Sequence, residues 1–314
     1  MKKTFFLLIF LLISLQQSGA WGFFAHKRIN RLAVFSLPPE MIGFFKANIQ
    51  FITENAVNPD RRRYAVIGEA EKHFIDADAF GDSAVYKLPR HWQQAVETFT
   101  EDSLRKYGIG PWNAYRVKLQ LTEAFRAKNK AAILRIAADL GHYIADINVP
   151  LHTTKNYNGQ LTDQVGIHAF WESRIPELLS DDYDLFIGKA EYLPQPQLTA
   201  WQAVIYAHEA LDSVLRFEKE LTRKFPSHKK YSYEDRGGIS TRVYSKEFTK
   251  AYHDMLDGQV ERHMKRSIKM IADFWYTAWI DAGQPDLDGM TQPVPELPEE
   301  NPSQKAIKTR EHES

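Results

Sequence analysis

The chain has 314 residues, 44% of them hydrophobic and 13% aromatic, with 40 basic residues against 40 acidic ones. That length supports one large packed body with a substantial core, and the balanced charge leaves no global electrostatic footprint for nucleic acid. There are no cysteines, which excludes disulfides, thiolate metal sites and a lipid-acylated cysteine, so any bound metal takes nitrogen and oxygen ligands.

The first twenty residues, MKKTFFLLIFLLISLQQSGA, have the form of a secretory signal. Lys2 and Lys3 are its positive end, Phe5 to Leu15 its apolar stretch, and Ser18-Gly19-Ala20 a small-residue cleavage site. The apolar run is shorter than the roughly 20 residues that a bilayer span needs. Cleavage after Ala20 exposes Trp21 and leaves two more acidic than basic residues. The expected location is the periplasm or the medium. WGFFAH then places His26 five residues after Trp21. A freshly exposed α-amino group is itself a nitrogen donor, with a pKa of about 8.

Further along, NPDRRRYAVIGEAEKHFIDAD supplies Asp60, His73, Asp76 and Asp78, and YGIGPW reads as a turn before a helix, with Trp112 in packing. In KAAILRIAADLGHYIAD, Ile133, Ala137, Leu140 and Ile144 recur every three or four positions and make one apolar helical face. His142 and Asp146 stand four apart on that helix and project from one side of it. Pro150 ends the helix, His152 follows in a loop, Asn158-Gly159 marks a turn, and His168 and Glu172 repeat the spacing on the next helix. Trp201, Val204, Ile205, Leu211 and Leu215 define another helix, and one long helix is expected from Ser245 to Gly283. Few segments alternate with a period of two. The expected fold is all-α, a single multi-helix domain over residues 21–283, followed by a disordered tail over 284–314 that is rich in Pro and Glu.

An isolated His-x-x-x-Asp is more often a hydrogen-bonded surface pair than a metal site. His208 with Asp212, and His253 with Asp257, have that spacing without a histidine in a neighbouring loop and are assigned to solvated helix faces. His91, His228, His263 and His312 are read as surface or packing residues. Two pairs plus His152 within one short stretch point instead to a metal centre. Imidazole and carboxylate donors favour zinc, with manganese or iron compatible by ligand type. More donors than one tetrahedral ion uses imply a multinuclear centre, which suits phosphate-ester hydrolysis.

In this order the residues resemble the zinc-dependent phospholipase C and single-strand nuclease superfamily, helical secreted enzymes carrying three zinc ions. The resemblance covers roughly Trp21 to the last long helix. It implies that the Trp21 amino group and carbonyl bind one zinc with His26. Asp60, His73 and His142 would bind a second, and Asp146 would bridge the two. His152, His168 and Glu172 would hold the third. The implied reaction is attack on phosphorus by a bridging hydroxide, in line with a leaving oxygen at the third ion, with Asp60, Asp146 and Arg63 as the catalytic side chains.

The implied substrate is a phosphodiester, a phospholipid favoured over a nucleotide or single-stranded nucleic acid. Glu172 stands where the nucleases usually have Asp, and NYNGQLTDQ lacks their Gly-Gly-Asn; both favour the phospholipase branch. The short gap from Trp21 to His26 resembles the nucleases. Phe24 and Arg61 stand where bacillary phospholipases have a carboxylate and an aromatic, so choline recognition is not implied. Arg63 resembles a nuclease arginine near the phosphate, with a surface ion pair as the alternative. Phe23, Phe24 and Phe80 are the candidate base-stacking aromatics of a nuclease or 3′-nucleotidase. A third reading is a non-catalytic helical protein with structural zinc, against which the three-ligand set of His152, His168 and Glu172 argues by leaving an open position.

Overall fold

A computed structural model describes residues 22–290; the expected leader, Trp21, His312 and the tail from 291 onward lie outside the described residues. The helix Lys130–Asp146 is the central strut. Asn129 starts it, accepting a hydrogen bond from the Ala132 amide at 3.1 Å. It packs against the helices Phe23–Ala33, Gly110–Arg126 and Gln259–Asp281. Gly141 permits the first of these contacts, because a Cβ there would lie 2.1 Å from Asn30 Oδ1. Asn30 Nδ2 in turn donates to the Ala138 carbonyl at 3.1 Å.

Aromatic side chains fill the spaces between the helices. Phe45 stacks on Trp275 at 5.0 Å, and Trp275 Nε1 donates to the Ala137 carbonyl at 3.0 Å. The 29-residue helix Pro196–Lys224 brings Trp201 edge-on to Trp112 at 4.9 Å, so Trp112 packs as expected. Each fully buried ring of this kind contributes about 1.5–3 kcal/mol.

The helix expected from Ser245 to Gly283 is two helices, Lys246–Met255 and Gln259–Asp281. Asp257 and Gly258 adopt left-handed backbone, with φ of 47° and 69°, and this breaks the hydrogen-bond ladder between them. Its apolar period carries across the break, which hides the break in the sequence.

Among the described residues the one sheet is a hairpin, Tyr231–Arg236 with Ile239–Tyr244. Its antiparallel register pairs Tyr231 with Tyr244 and Arg236 with Ile239. Gly237 and Gly238 both have positive φ, the requirement of a tight two-residue hairpin turn. Within residues 284–290, assigned to the tail by composition, Leu287 is buried and the Pro285 carbonyl accepts from Trp279 Nε1 at 3.0 Å. No helix among the described residues is long and apolar enough to cross a membrane.

His263 is fully buried, and its Nδ1 donates to the Asn148 carbonyl at 2.6 Å. Burial, together with Arg266 and Arg262, lowers its pKa to about 4. The unfolded chain takes up a proton near pH 6.5 that the folded chain refuses until about pH 4, so stability falls as pH drops through that window. The size of the effect is about 3 kcal/mol. Urea unfolding at both ends of the window is expected to show His263→Gln losing less stability than the parent by about that amount; equal losses would contradict the neutral, buried imidazole.

Candidate metal centre

Eight of the expected ligand side chains converge, from seven separate pieces of chain. His26 comes from the first helix, and Asp60 from the short helix Asn58–Arg62, whose Pro59 suits its first turn. His73 follows the turn Ala70–Lys72. His142 and Asp146 occupy the end of Lys130–Asp146, and His152 the turn Pro150–Thr153. His168 lies in Ile167–Ala169, and Glu172 in the wider π-helical turn Phe170–Arg174. Pro176 has no N–H to bond the Glu172 carbonyl as an α-helix would, which favours the widened turn. All eight side chains are buried.

Their donor atoms form three groups: His26, His142 and Asp146; Asp60, His73 and His142; His152, His168 and Glu172. Within each group the donors lie within 4.8 Å of one another. Asp146 joins the first two groups through its two oxygens. Oδ1 faces His26 Nε2 at 3.4 Å, while Oδ2 faces His73 Nδ1 at 2.8 Å and His142 Nε2 at 3.2 Å. His142 Nε2 also lies 3.5 Å from Asp60 Oδ1.

Backbone carbonyls aim three of the rings. His142 Nδ1 donates to Ala56 O at 2.8 Å, His152 Nδ1 to His73 O at 2.6 Å, and His168 Nδ1 to Tyr157 O at 2.9 Å. A carbonyl oxygen only accepts, so in each neutral ring the proton sits on Nδ1 and the Nε2 lone pair points into the centre. His152 Nε2 and His168 Nε2 are 3.1 Å apart, with Glu172 Oε2 3.5 and 3.0 Å from them. Two lone pairs facing each other at that distance repel unless a cation lies between them.

The first two groups carry the same message. Both oxygens of Asp60, Asp146 Oδ1, His73 Nε2 and His26 Nδ1 are buried without a hydrogen-bond partner among the described residues. Buried carboxylate oxygens left this way cost several kcal/mol unless a cation joins them. Burial lowers the pKa of His26, His73 and His152, keeping their imidazoles neutral and able to ligate. Burial also pushes His142 down, but Asp146 and Asp60 outweigh it and hold that ring well above the usual histidine value. Burial alone would raise Asp146; His142 and His152 instead hold it well below the carboxylate range. The donor set of imidazoles and carboxylates therefore fits zinc.

Arg63 is buried beside this cluster, where its charge helps lower the pKa of His73. Its Nε and Nη2 have no hydrogen-bond partner among the described residues, so it is not the surface ion pair that DRRR allowed. Its neighbour Arg62 is the paired one, at 2.9 Å from Asp139 and 3.4 Å from Glu69. Glu69 also accepts from Tyr143, whose ring meets those of His73 and His142 edge-on at 5.4 and 5.8 Å. Burial, Asp139 and Glu69 hold the phenol neutral. Sequence reading missed this network, although Asp139 and Tyr143 flank His142 on one helix.

Other candidates stand apart. The Asp78 carboxylate accepts from Thr154 Oγ1 at 2.8 Å and the Lys155 amide at 2.9 Å, bracing the loop after His152, and Asp76 joins none of the three groups. His208 is not on a solvated face: it is half-buried, with Nδ1 3.0 Å from Thr153 Oγ1. His253 stacks on Tyr183 instead of pairing with Asp257, which has left the helix. His91 and His228 are exposed. Phe80 packs on Phe99 and Tyr107, and Phe23 and Phe24 line a cleft that contains none of the eight donor side chains.

No protein-family description matches the sequence, and no curated protein does. Among solved structures, the alpha toxin of Clostridium absonum superposes with a TM-score of 0.50 at 13% identity, over 83% of this chain. The fold is similar to that of this alpha toxin. The chain spans 64% of the toxin's length. An alpha-toxin of Clostridium perfringens, from an avian strain, matches at 13% identity and a TM-score of 0.44, over 86% of this chain and 66% of the other. The expected all-α fold is thus met, with one small hairpin among the described residues.

If the Glu69 network aims the histidine rings, Tyr143→Phe is expected to weaken zinc binding about 10- to 100-fold in chelator competition while the protein stays folded. Unchanged affinity would show that the rings need no such support.

Proposed function

We propose that this protein is a secreted, zinc-dependent phosphodiester hydrolase of phospholipase C type. The observation that carries the reading is the set of three convergent donor groups, with His142 common to two of them, Asp146 reaching both through its two oxygens, and the carbonyl-aimed lone pairs of His152 and His168 facing each other. His26, Asp60, His73, His142 and Asp146 hold two ions, and His152, His168 and Glu172 a third. Bound there, the ions supply a nucleophile near neutral pH and offset charge on the phosphoryl oxygens.

The chain's own groups do the rest. Asp146 keeps both oxygens ionised between the two groups, and the aimed rings keep the donors in place without reorganisation. The buried guanidinium of Arg63 offers two unpartnered nitrogens, suited to a phosphoryl oxygen. The Trp21 amino group completes the first site once the leader is removed after Ala20. The working body then starts at Trp21, ahead of a tail with no assigned role.

Elemental analysis of the secreted protein should find close to three zinc ions on a chain beginning with Trp21. Asp146→Asn should lose metal and at least about 100-fold in activity, since one carboxylate serves two ions. Full activity in that variant would refute the site. Arg63→Gln should keep its zinc and lose about 100-fold in kcat/KM. Faster turnover of 3′-AMP than of p-nitrophenyl phosphorylcholine would move the assignment to the nuclease branch.

A further inference from the structure

A second concave site lies against the segment that carries His168 and Glu172. A cleft of about 520 Å³ runs between the start of the first helix, residues 165–177 and the hairpin. None of the eight donor side chains lines it; its walls include their neighbours Ala169 and Ser173. Its volume falls within the range of pockets that hold one small organic molecule.

The lining is apolar at its floor and cationic at one edge. Phe24, Val165, Phe170, Val243 and Tyr244 supply the apolar part, and Phe170 and Tyr244 stack at 3.8 Å, which makes the floor rigid. Val165 is 60% exposed and carries apolar surface to solvent. Of the three arginines that line the cleft, Arg174 is bound by Glu234 at 2.8 Å and Arg236 by Glu177 at 2.9 Å. Arg242 has no carboxylate partner among the described residues. Its guanidinium lies over the Tyr231 ring at 4.5 Å, which holds the plane in place and leaves its N–H edge to an anion.

We infer that this cleft is a ligand site, separate from the metal centre, for a single-chain amphiphilic anion: an alkyl chain lies on the floor and its phosphate or carboxylate head sits on Arg242. One chain fills a cleft of this size, and the head neutralises the one unpaired arginine in its lining. The site stands whether or not the metal centre hydrolyses phosphodiesters.

The test is calorimetric titration of the zinc-loaded protein with monomeric dodecyl phosphate, with excess inorganic phosphate present to occupy the metal centre. Binding is expected to strengthen by up to about fourfold per added methylene from octyl to dodecyl phosphate. Dodecyl maltoside, with the same chain and no charge, should bind at least about tenfold more weakly. Arg242→Glu, an exposed change, should weaken dodecyl phosphate about tenfold. Thr241→Trp, which fills the cleft from the hairpin, should abolish binding, with far-UV circular dichroism confirming that both variants are folded. Equal binding of the maltoside, no gain in affinity from octyl to dodecyl phosphate, or unchanged binding in both folded variants would overturn the inference.

Discussion

A carboxylate with no exposed surface, Asp146, sits among three imidazoles at the end of a helix. Taking an ionised group that far from water costs several kcal/mol unless opposite charge and hydrogen bonds surround it. Much of the surrounding architecture serves that requirement. The Lys130–Asp146 helix places the carboxylate, the first helix brings His26 against it by way of Gly141, and the chain around residues 58–73 brings Asp60 and His73 from another side. The apolar core pays for the assembly by holding these pieces in one geometry.

Around the donors lies a layer of groups that aim them. The carbonyls of Ala56, His73 and Tyr157 hold three rings by one nitrogen and turn the other inward. His73 thus serves two groups at once: its ring belongs to one, and its carbonyl aims His152 of another. Arg62, Glu69, Asp139 and Tyr143 form a bonded network whose Tyr143 ring lies against those of His73 and His142. Pre-set donors lose little entropy on meeting a cation, and they hold their positions while charge develops on a substrate.

The cleft under the hairpin has different chemistry. Its floor is aromatic and aliphatic, two of its three arginines are bound by carboxylates while Arg242 lies over the Tyr231 ring, and its walls lie on faces of the same segments that present donors elsewhere. The segment 167–179 thus separates two environments, one built of carboxylates and imidazoles and the other of apolar side chains and arginine.

The sequence by itself determined the helical class, since a period near 3.6 is written into the spacing of Ile133, Ala137, Leu140 and Ile144. It also narrowed the donor types, because a chain without cysteine offers a metal such as zinc no thiolate and leaves imidazole, carboxylate and amine as its strong donors. The i, i+4 pairs were legible because one helical turn brings such residues to one side. What only the tertiary structure decided was which histidines meet. His208 and His253 have the same spacing as His142, yet they pack elsewhere, because spacing along one helix carries no information about what lies opposite. The carbonyls that choose each ring's tautomer and the partnering that leaves Arg63 unpaired while Arg62 is bound depend on residues distant in the chain. These are long-range contacts, fixed by how the helices pack and invisible to any local pattern.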